Sequence, residues 1–186
     1  MKVSFFNLVL FCVLAGACPA QMQASFNQSD FALTVTVITS EHSRDSNSTA
    51  RSLTVSGNTL VYEETHHGAR ASRYPPLKKE YELTNDDRDR LIRLLKGNRR
   101  LLKGNRLLTT KTISKSSDQR GVTRDFELSI TTKLAGKESR ISIEAPRSAT
   151  ELKNEPLYQG SVLLIGELYQ IINRTDRDIT FDELIP

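Results

Sequence analysis

Alternating apolar and polar positions predict a first group of strands before residue 84. Within residues 31–39, Leu33, Val35 and Val37 alternate with Thr34 and Thr36, which is typical of a half-buried strand. Residues 51–56 and 59–65 continue the alternation on either side of Gly57-Asn58, a two-residue turn signal, and so predict a hairpin. Residues 78–83 are a candidate for a further short strand.

A second group of strands is predicted after residue 107. Residues 123–134 and 138–145 alternate around Ala135-Gly136-Lys137 and give the clearest hairpin signal in the chain. Residues 108–115 carry a weaker strand pattern. Two polar segments of the first half, residues 40–50 and 67–77, are expected to be long exposed loops.

A central helix is predicted between the two groups of strands. Thr84 is its capping residue, and Asp86 and Asp87 follow in the first turn, where carboxylates suit the free amide groups. The apolar stripe of this helix consists of leucines that recur at helical spacings, namely Leu91, Leu94, Leu95, Leu101, Leu102 and Leu108.

The end of this helix contains a perfect tandem repeat. The sequence RLLKGNR occupies residues 93–99 and again residues 100–106. Seven residues make almost two helical turns, so the second copy returns the stripe to within about 20° of the first. Glycine after the last apolar residue is the usual helix stop. We predict that the helix continues through Gly97 and ends at Gly104, and a loop or kink at Gly97 is the alternative.

A closing helix is predicted to begin near Asn154, a good capping residue, with Pro156 in its first turn. Its apolar stripe is Tyr158, Val162, Ile165, Tyr169 and Ile172, widened by Leu163, Leu164, Leu168 and Ile171. The order strands, helix, strands, helix predicts an α+β fold, with a mostly antiparallel sheet of five to six strands and both helices on one face. We predict one domain over residues 31–174 and a C-terminal tail over residues 175–186.

The N-terminus has the pattern of a secretory signal peptide. Residues 1–20 combine Lys2 with an apolar run and then small residues, and residues 21–30 are polar and predicted to be flexible. This pattern predicts a protein that is secreted or held in the periplasm or cell envelope. The formal net charge of the chain is +4, and loss of Lys2 with the signal peptide leaves +3.

Both cysteines of the chain, Cys12 and Cys18, lie within the signal segment. The mature fold is therefore predicted to have no disulfide. Cys18 follows LAGA, which is similar to a bacterial lipoprotein cleavage site, so Cys18 is a candidate for lipidation. Cleavage after Ala17 or Ala20 by an ordinary signal peptidase is the alternative. Contact with a membrane is expected only through such a lipid anchor.

The repeat concentrates basic side chains at the end of the central helix. They form a candidate anion-binding surface, and the alternative is the solvated face of an amphipathic helix. No aromatic residue lies among them for base stacking, so we do not expect nucleic acid as a partner. The candidate residues are Arg93, Lys96, Arg99, Arg100, Lys103 and Arg106.

The residues that could support catalysis or metal binding are few. Glu64 and His66 share one face of their predicted strand, while His67 points the other way and His42 lies elsewhere. There is no HExxH motif, no paired Cys/His spacing, no GxSxG elbow and no phosphate-binding glycine loop. We therefore predict no catalytic residue, no metal, no cofactor and no enzyme activity.

The segment YELTNDD at residues 81–87, which leads into Leu91, and the segment FELSI at residues 126–130 precede a closing leucine-rich helix. In this layout the chain resembles emfourin-type small inhibitors of thermolysin-like metalloproteases, and it is also similar to secreted bacterial domains of the same element order. The chain departs from the layout by its long loops and its duplicated heptad. No inhibitory residue is carried over.

These observations predict a secreted or lipid-anchored, non-enzymatic binding domain whose partner is another protein. What the resemblance implies is a protease inhibitor, and residues 40–50 and 67–77 are then the loops that would enter the protease cleft. The alternative is an envelope-surface module that binds anionic lipid or polysaccharide through the basic end of the central helix.

Overall fold

The computed structural model describes residues 30–42, 46–109, 123–146 and 150–179. These residues form a seven-stranded sheet and two α-helices, α1 (Asn85–Gly97) and α2 (Pro156–Ile172), with short 3-10 turns at Gly68–Arg70 and Thr150–Asn154. The strands are β1 (Ala32–His42), β2 (Asn47–Ser56), β3 (Thr59–His67), β4 (Leu77–Glu82), β5 (Arg106–Thr109), β6 (Thr123–Leu134) and β7 (Lys137–Pro146).

The strands lie side by side in the order β4-β3-β2-β1-β6-β7-β5. Every neighbouring pair is antiparallel except β5 and β7, which are parallel. The α+β class is confirmed. The prediction of five to six strands is wrong, because the sheet has seven, and β5 adds a parallel pair that no hairpin signal could reveal.

One face of the sheet is buried and the other is open. The register aligns Val35 with Leu53 on β2 and with Ile130 on β6, and all three are almost fully buried. Between these positions, threonine and serine side chains such as Thr36 and Ser129 face the opposite side and are half-buried. The predicted alternation of the two hairpins is therefore confirmed, and it gives the sheet a single apolar face.

Helix α2 packs against this apolar face. Tyr158 meets Phe126 edge-on with ring centroids 6.5 Å apart, and Tyr169 meets Tyr62 in the same way at 6.4 Å. Two details of the prediction are wrong. Leu163 is 63% exposed, so it does not widen the buried stripe. The capping position of α2 is occupied by Glu155, because Asn154 is the last residue of the preceding 3-10 turn. The Glu155 side chain makes no capping hydrogen bond.

Helix α1 begins as predicted. The Thr84 hydroxyl accepts a hydrogen bond from the Asp87 amide at 3.2 Å, and the Asp87 carboxylate accepts one from the Thr84 amide at 3.1 Å. This reciprocal capping box satisfies two donors that a helix start leaves free. The leucines Leu91 and Leu95 are fully buried.

The end of α1 differs from the prediction. The helix stops at Gly97, so the continuation to Gly104 is wrong and the alternative, a break at Gly97, is confirmed. The physical reason lies in Leu101, which is fully buried in the following turn and whose carbonyl accepts a hydrogen bond from Ser139 Oγ at 2.9 Å. The turn thereby brings the chain back to the sheet, where β5 begins at Arg106.

The segment 40–50 is also not the loop that its polar composition predicts. Strand β1 extends to His42 and β2 begins at Asn47. The reason is that these residues have partners on both sides: β1 pairs with β6 as far as Thr123, and β2 pairs with β3 as far as His67. Backbone pairing from the neighbouring strands thus overrides the serine- and asparagine-rich sequence. Residues 68–76, by contrast, are an exposed connection as predicted.

Several predictions fall outside the described residues. The signal peptide over residues 1–20, Cys18 and the flexible segment up to residue 29 are among them, as are residues 110–115 of the predicted strand and 180–186 of the tail. The domain boundaries therefore stay predictions. No helix in the part of the chain that the structure describes is long and apolar enough to cross a membrane.

Candidate functional site

The two segments predicted as loops meet at one end of the sheet. The Arg70 guanidinium pairs with the Glu41 carboxylate at 3.0 Å, and the Arg70 amide donates to Asn47 Oδ1 at 3.3 Å. Gly68 adopts a φ of +78°, and a Cβ there would lie only 2.1 Å from the Ser46 carbonyl oxygen. Glycine is needed here because the two backbones approach so closely. We call the surface formed by residues 46–51 and 64–76 the hairpin-end surface.

A cluster of polar side chains continues the buried face of the sheet into this surface. The two-residue turn at Gly57-Asn58 sets the register of β2 and β3, and this register places Arg51 opposite Glu64 and Thr49 opposite His66. The buried face that is apolar at Leu53 and Tyr62 thus becomes polar two residues further along each strand.

Glu64 is the centre of this cluster. Its carboxylate pairs with Arg51 Nε at 3.0 Å and with His66 Nε2 at 2.9 Å, and it also accepts a hydrogen bond from the Tyr62 hydroxyl. Burial alone would raise the pKa of Glu64, but the hydrogen bonds from Tyr62 and Arg51 outweigh it and hold the pKa below its ordinary value. Glu64 is therefore ionised and saturated with donors at neutral pH.

Two partners of Glu64, Tyr62 and Arg51, keep their protons. Burial raises the pKa of the Tyr62 hydroxyl, and its hydrogen bond to Glu64 raises it further. The pKa of Arg51 is also raised: burial opposes the charge, but the nearby Glu64 carboxylate more than compensates. Tyr62 and Arg51 are thus permanent donors to Glu64, and the three side chains form the floor of the site.

Above this floor lies an open depression of about 640 Å³. Tyr74 forms part of its rim and packs on the His66 ring, with centroids 5.1 Å apart, although it remains 53% exposed. Three arginines and a single glutamate contribute to the lining, so the depression is cationic. The lining residues are Asn47, Thr49, Arg51, Glu64, His66, Ala69, Arg70, Arg73 and Tyr74.

The connectivity of Thr49, His66 and Glu64 invites comparison with a catalytic triad. Thr49 Oγ1 lies 3.1 Å from His66 Nδ1, and His66 Nε2 faces Glu64. Two observations argue against a nucleophile here. Thr49 is only 5% exposed, and the Glu64 carboxylate already interacts with Arg51 and Tyr62 as well as His66. The arrangement therefore suits a rigid, satisfied polar cluster better than nucleophilic catalysis.

Metal binding gains no support from the described residues. No group of three or more His, Cys, Asp or Glu side chains there is arranged to hold a metal ion. Both ring nitrogens of His66 already face protein partners, Thr49 and Glu64. The side chain of His42 lies outside the described part of the chain. The absence of a metal, a cofactor and an enzyme activity stays a prediction.

The six basic residues of the candidate anion-binding surface are all exposed, but they do not line one helix face. Because α1 ends at Gly97, they are distributed over three conformations. Arg93 lies 3.9 Å from Asp86 and is partly neutralised by it. Arg93 and Lys96 belong to α1, Arg99, Arg100 and Lys103 to the turn, and Arg106 opens β5. Their role in anion binding stays a prediction.

A second polar cluster joins the start of α1 to the chain after α2. Arg174 pairs with Asp87 through its two terminal guanidinium nitrogens, at 2.7 and 3.0 Å, and Asp176 accepts hydrogen bonds from Lys79 and Tyr81. Burial, together with the Asp176 carboxylate, raises the pKa of Tyr81 to about 12. These charges are paired with one another, so the cluster fastens the segment after α2 to the start of α1 rather than offering free groups to a ligand.

The sequence predicts only part of the hairpin-end cluster. Alternation along β3 places Glu64 and His66 on one face, and the structure brings them together. Thr49 and Arg51 were not predicted, although the Gly57-Asn58 turn already fixes which residues of β2 oppose Glu64 and His66. Tyr74 gave no signal, because its packing on His66 depends on the path of an irregular segment.

Comparison with known proteins adds no family to this geometry. Neither a protein-family model nor a curated protein matches the chain. The resemblance to emfourin-type inhibitors therefore stays a prediction.

Proposed function

We propose that this protein is a non-enzymatic binding domain, exported by its signal peptide or anchored through Cys18, that contacts another protein through the hairpin-end surface. One observation carries the proposal: two irregular or polar segments, distant in sequence, are fixed against each other around a cationic depression. The ties are the ion pair of Arg70 with Glu41 and the hydrogen bond from the Arg70 amide to Asn47.

This rigidity supports recognition because it lowers the entropy lost on binding. Ordering a flexible side chain or loop at an interface costs about 0.5–1.5 kcal/mol for each rotamer-rich side chain. Here the floor is already ordered by the hydrogen bonds to Glu64, and Tyr74 is held on the His66 ring. A partner therefore meets a preformed surface.

The rim also offers apolar area. Among the described residues, four large apolar side chains are exposed, and two of them, Tyr74 and Leu77, belong to or adjoin this surface. Exposed aromatic side chains close to arginine are typical of the residues that dominate binding energy at protein interfaces. The hairpin-end surface thus combines shape, charge and apolar contact.

Inhibition of a thermolysin-like metalloprotease is the specific form of this function that the sequence resemblance suggests. The test measures cleavage of a peptide substrate by thermolysin at increasing concentrations of the secreted protein. We expect inhibition, and we expect Tyr74→Ala and Arg73→Glu to weaken it about tenfold or more, since each removes an exposed contact. Arg99→Glu, which changes another exposed arginine outside the surface, is the matched control.

Two results would count against this proposal. Absence of inhibition by the unaltered protein would remove the protease-inhibitor form. Equal loss of inhibition in Arg99→Glu and Arg73→Glu would show that charge in general, rather than the hairpin-end surface, is responsible.

A second candidate function rests on the exposure of all six basic residues between Arg93 and Arg106. In this form, the protein binds anionic lipid or polysaccharide. Replacing Arg99, Arg100, Lys103 and Arg106 by glutamate should then release the protein from vesicles that contain anionic lipid, and added salt should do the same. Binding that is insensitive to salt would reject this function.

A further inference from the structure

We infer that the depression on the hairpin-end surface is a binding site for a carboxylate, supplied by an acidic residue that is flanked by apolar side chains in a partner peptide. This inference rests on the proposed binding function and names the ligand chemistry of the same site. It is argued from the charge of the lining, the fixed position of Arg73 and the apolar rim.

The charge of the depression favours an anion. Its single acidic residue, Glu64, is engaged by Arg51, His66 and Tyr62, so its charge is compensated within the floor. The rim adds Arg70 and Arg73. Arg70 is paired with Glu41, whereas the Arg73 side chain has no hydrogen-bond or ion-pair partner among the described residues. An uncompensated guanidinium at the edge of a cationic depression attracts a negative group.

Arg73 is also held in place by its backbone. The Arg73 amide donates to the Arg70 carbonyl at 3.0 Å, and the next amide, of Tyr74, donates to the same oxygen at 3.1 Å. Pro75 and Pro76 follow directly and restrict the chain further. The backbone that carries Arg73 is therefore fixed, and only its side chain has to be ordered when an anion binds.

The charge balance of the depression discriminates between kinds of anion. Arg51 is paired with Glu64 and Arg70 with Glu41, so Arg73 contributes a single uncompensated positive charge. A guanidinium group matches a carboxylate through two parallel hydrogen bonds, and a singly charged carboxylate neutralises that charge. A phosphate group carries a charge of about −1.5 to −2 at pH 7 and would leave negative charge in excess. The charge balance therefore favours a monoanion.

The rim favours a peptide over an acidic polysaccharide. Tyr74 on the rim is 53% exposed, and Leu77, which lies outside the lining but opposite Glu64 in the register of β3 and β4, is 38% exposed. Such apolar surface gains little from a strongly hydrated sugar acid, but it gains from aliphatic side chains next to the carboxylate. A glutamate between two leucines has this chemistry.

The experiment compares two capped tripeptides, acetyl-Leu-Glu-Leu-amide and acetyl-Leu-Gln-Leu-amide, which differ only in the charge of the central side chain. Binding to the secreted protein is measured by NMR titration. We expect the Glu peptide to bind about tenfold more tightly, with shifts centred on Arg73, His66 and Tyr74. A hydrogen bond to a charged group is worth about 1.5–3 kcal/mol, which corresponds to roughly tenfold or more in affinity.

Variants locate the effect. Arg73→Ala should remove the preference for the Glu peptide, Arg73→Lys should keep part of it, and Arg99→Ala should leave it unchanged. Because Arg73 is exposed and makes no side-chain contact that the fold needs, these variants should melt at the temperature of the unaltered protein. A melting curve checks this.

Four outcomes would overturn the inference: no binding of the Glu peptide, equal binding of both peptides, an unchanged preference in Arg73→Ala, or tighter binding of inorganic phosphate or of a sulfated polysaccharide at the same residues. None of them is an outcome that counts against the proposed function, since those outcomes are the absence of protease inhibition and an equal loss of inhibition in Arg99→Glu and Arg73→Glu. The two proposals can therefore fail separately.

Discussion

The two copies of RLLKGNR have the same sequence but different structures. In the first copy, residues 93–97 form the last turns of α1, and Asn98 follows as the residue after the helix. In the second copy, residues 100–105 form a turn that leads into β5 at Arg106. Burial also changes: Leu95 is buried and Leu94 half-buried in the first copy, whereas Leu101 is buried and Leu102 half-buried in the second.

The difference shows which interactions decide the conformation of this heptad. The first copy continues a helix that the capping box at Thr84 has started, so its leucines follow helical periodicity. The second copy has no such start, and its backbone follows the contacts of Leu101 with the core and with Ser139. Identical local propensities are thus overridden by tertiary contacts.

Substitution of the four leucines gives the largest expected effect. Leu95→Ala and Leu101→Ala should each lower the free energy of unfolding by about 3 kcal/mol, because both remove a fully buried side chain. Leu94→Ala and Leu102→Ala should lower the free energy of unfolding by less than about half as much, since both leucines are only half-buried. Urea unfolding measures all four. Equal costs for Leu94 and Leu101, the matching positions, would contradict the structural difference.

Asp87, at the start of α1, tests whether the capping box fixes the helix before the repeat begins. Asp87→Asn should lower the free energy of unfolding by about 2 kcal/mol at pH 7, because the carboxylate accepts charge-assisted hydrogen bonds from Arg174 and caps Thr84.

The effect of Asp87→Asn should depend on pH in a defined direction. Burial tends to raise the pKa of Asp87, but hydrogen bonds from Arg174 and Thr84 outweigh it, so the folded-state pKa lies below the ordinary value of 3.8. Stability from Asp87 is therefore complete above that ordinary pKa and is lost as the pH falls through the folded-state pKa. The unfolding curves of the two proteins should converge in acid, and a constant difference at every pH would show that the charge is irrelevant.

Gly160 tests how the first copy is fixed against α2. A Cβ at Gly160 would lie 1.6 Å from Asn98 Nδ2 and 2.6 Å from Asn98 Cγ. Gly160→Ala should therefore destabilise the fold by about 1–2 kcal/mol, although alanine is normally preferred to glycine within a helix. In combination with Gly160→Ala, Asn98→Ala should remove the clash, so that alanine is again preferred to glycine at residue 160. Asn105→Ala, at the matching position of the second copy, should not have this effect. A double-mutant cycle by thermal unfolding measures the coupling.

The two glycines of the repeat give the smallest expected effect. Gly104 has a φ of +63°, which is strained for any residue with a Cβ, so Gly104→Ala should cost about 1 kcal/mol. Gly97 ends a helix, and a Cβ there would meet no atom within 4 Å, so Gly97→Ala should be neutral or stabilise the protein by about 0.5 kcal/mol. The two substitutions should change the free energy of unfolding, measured by chemical denaturation, in opposite directions. Equal changes would indicate that both glycines have the same conformation.

The sequence predicts those parts of the fold that local signals determine. Each of these parts is determined by residues that lie within a few positions of one another in the sequence. They are the Gly57-Asn58 turn, the alternation around it, and the capping box of Thr84 and Asp87. The end of α1 and the parallel pairing of β5 could not be predicted, because they depend on contacts of Leu101 and of β7 across the fold.

The candidate site shows the same division. Because a two-residue turn fixes the register, the pairing of Arg51 with Glu64 could be read from the sequence once the hairpin is accepted. The depression itself could not, since it requires residues 68–76 to fold back until Tyr74 reaches His66. The sequence shows which charged side chains are available, but it does not show that they surround a depression.

The ties between the start of α1 and the segment after α2 have a consequence for biosynthesis. Arg174 neutralises the nearly inaccessible carboxylate of Asp87, Asp176 pairs with Lys79, and Ile179 is buried in the core. A ribosome releases these residues after all the described helices and strands. A nascent chain that ends before residue 174 leaves the acid at the start of α1 without its cation, so the domain lacks this part of its stability until residues 174–179 have been synthesised.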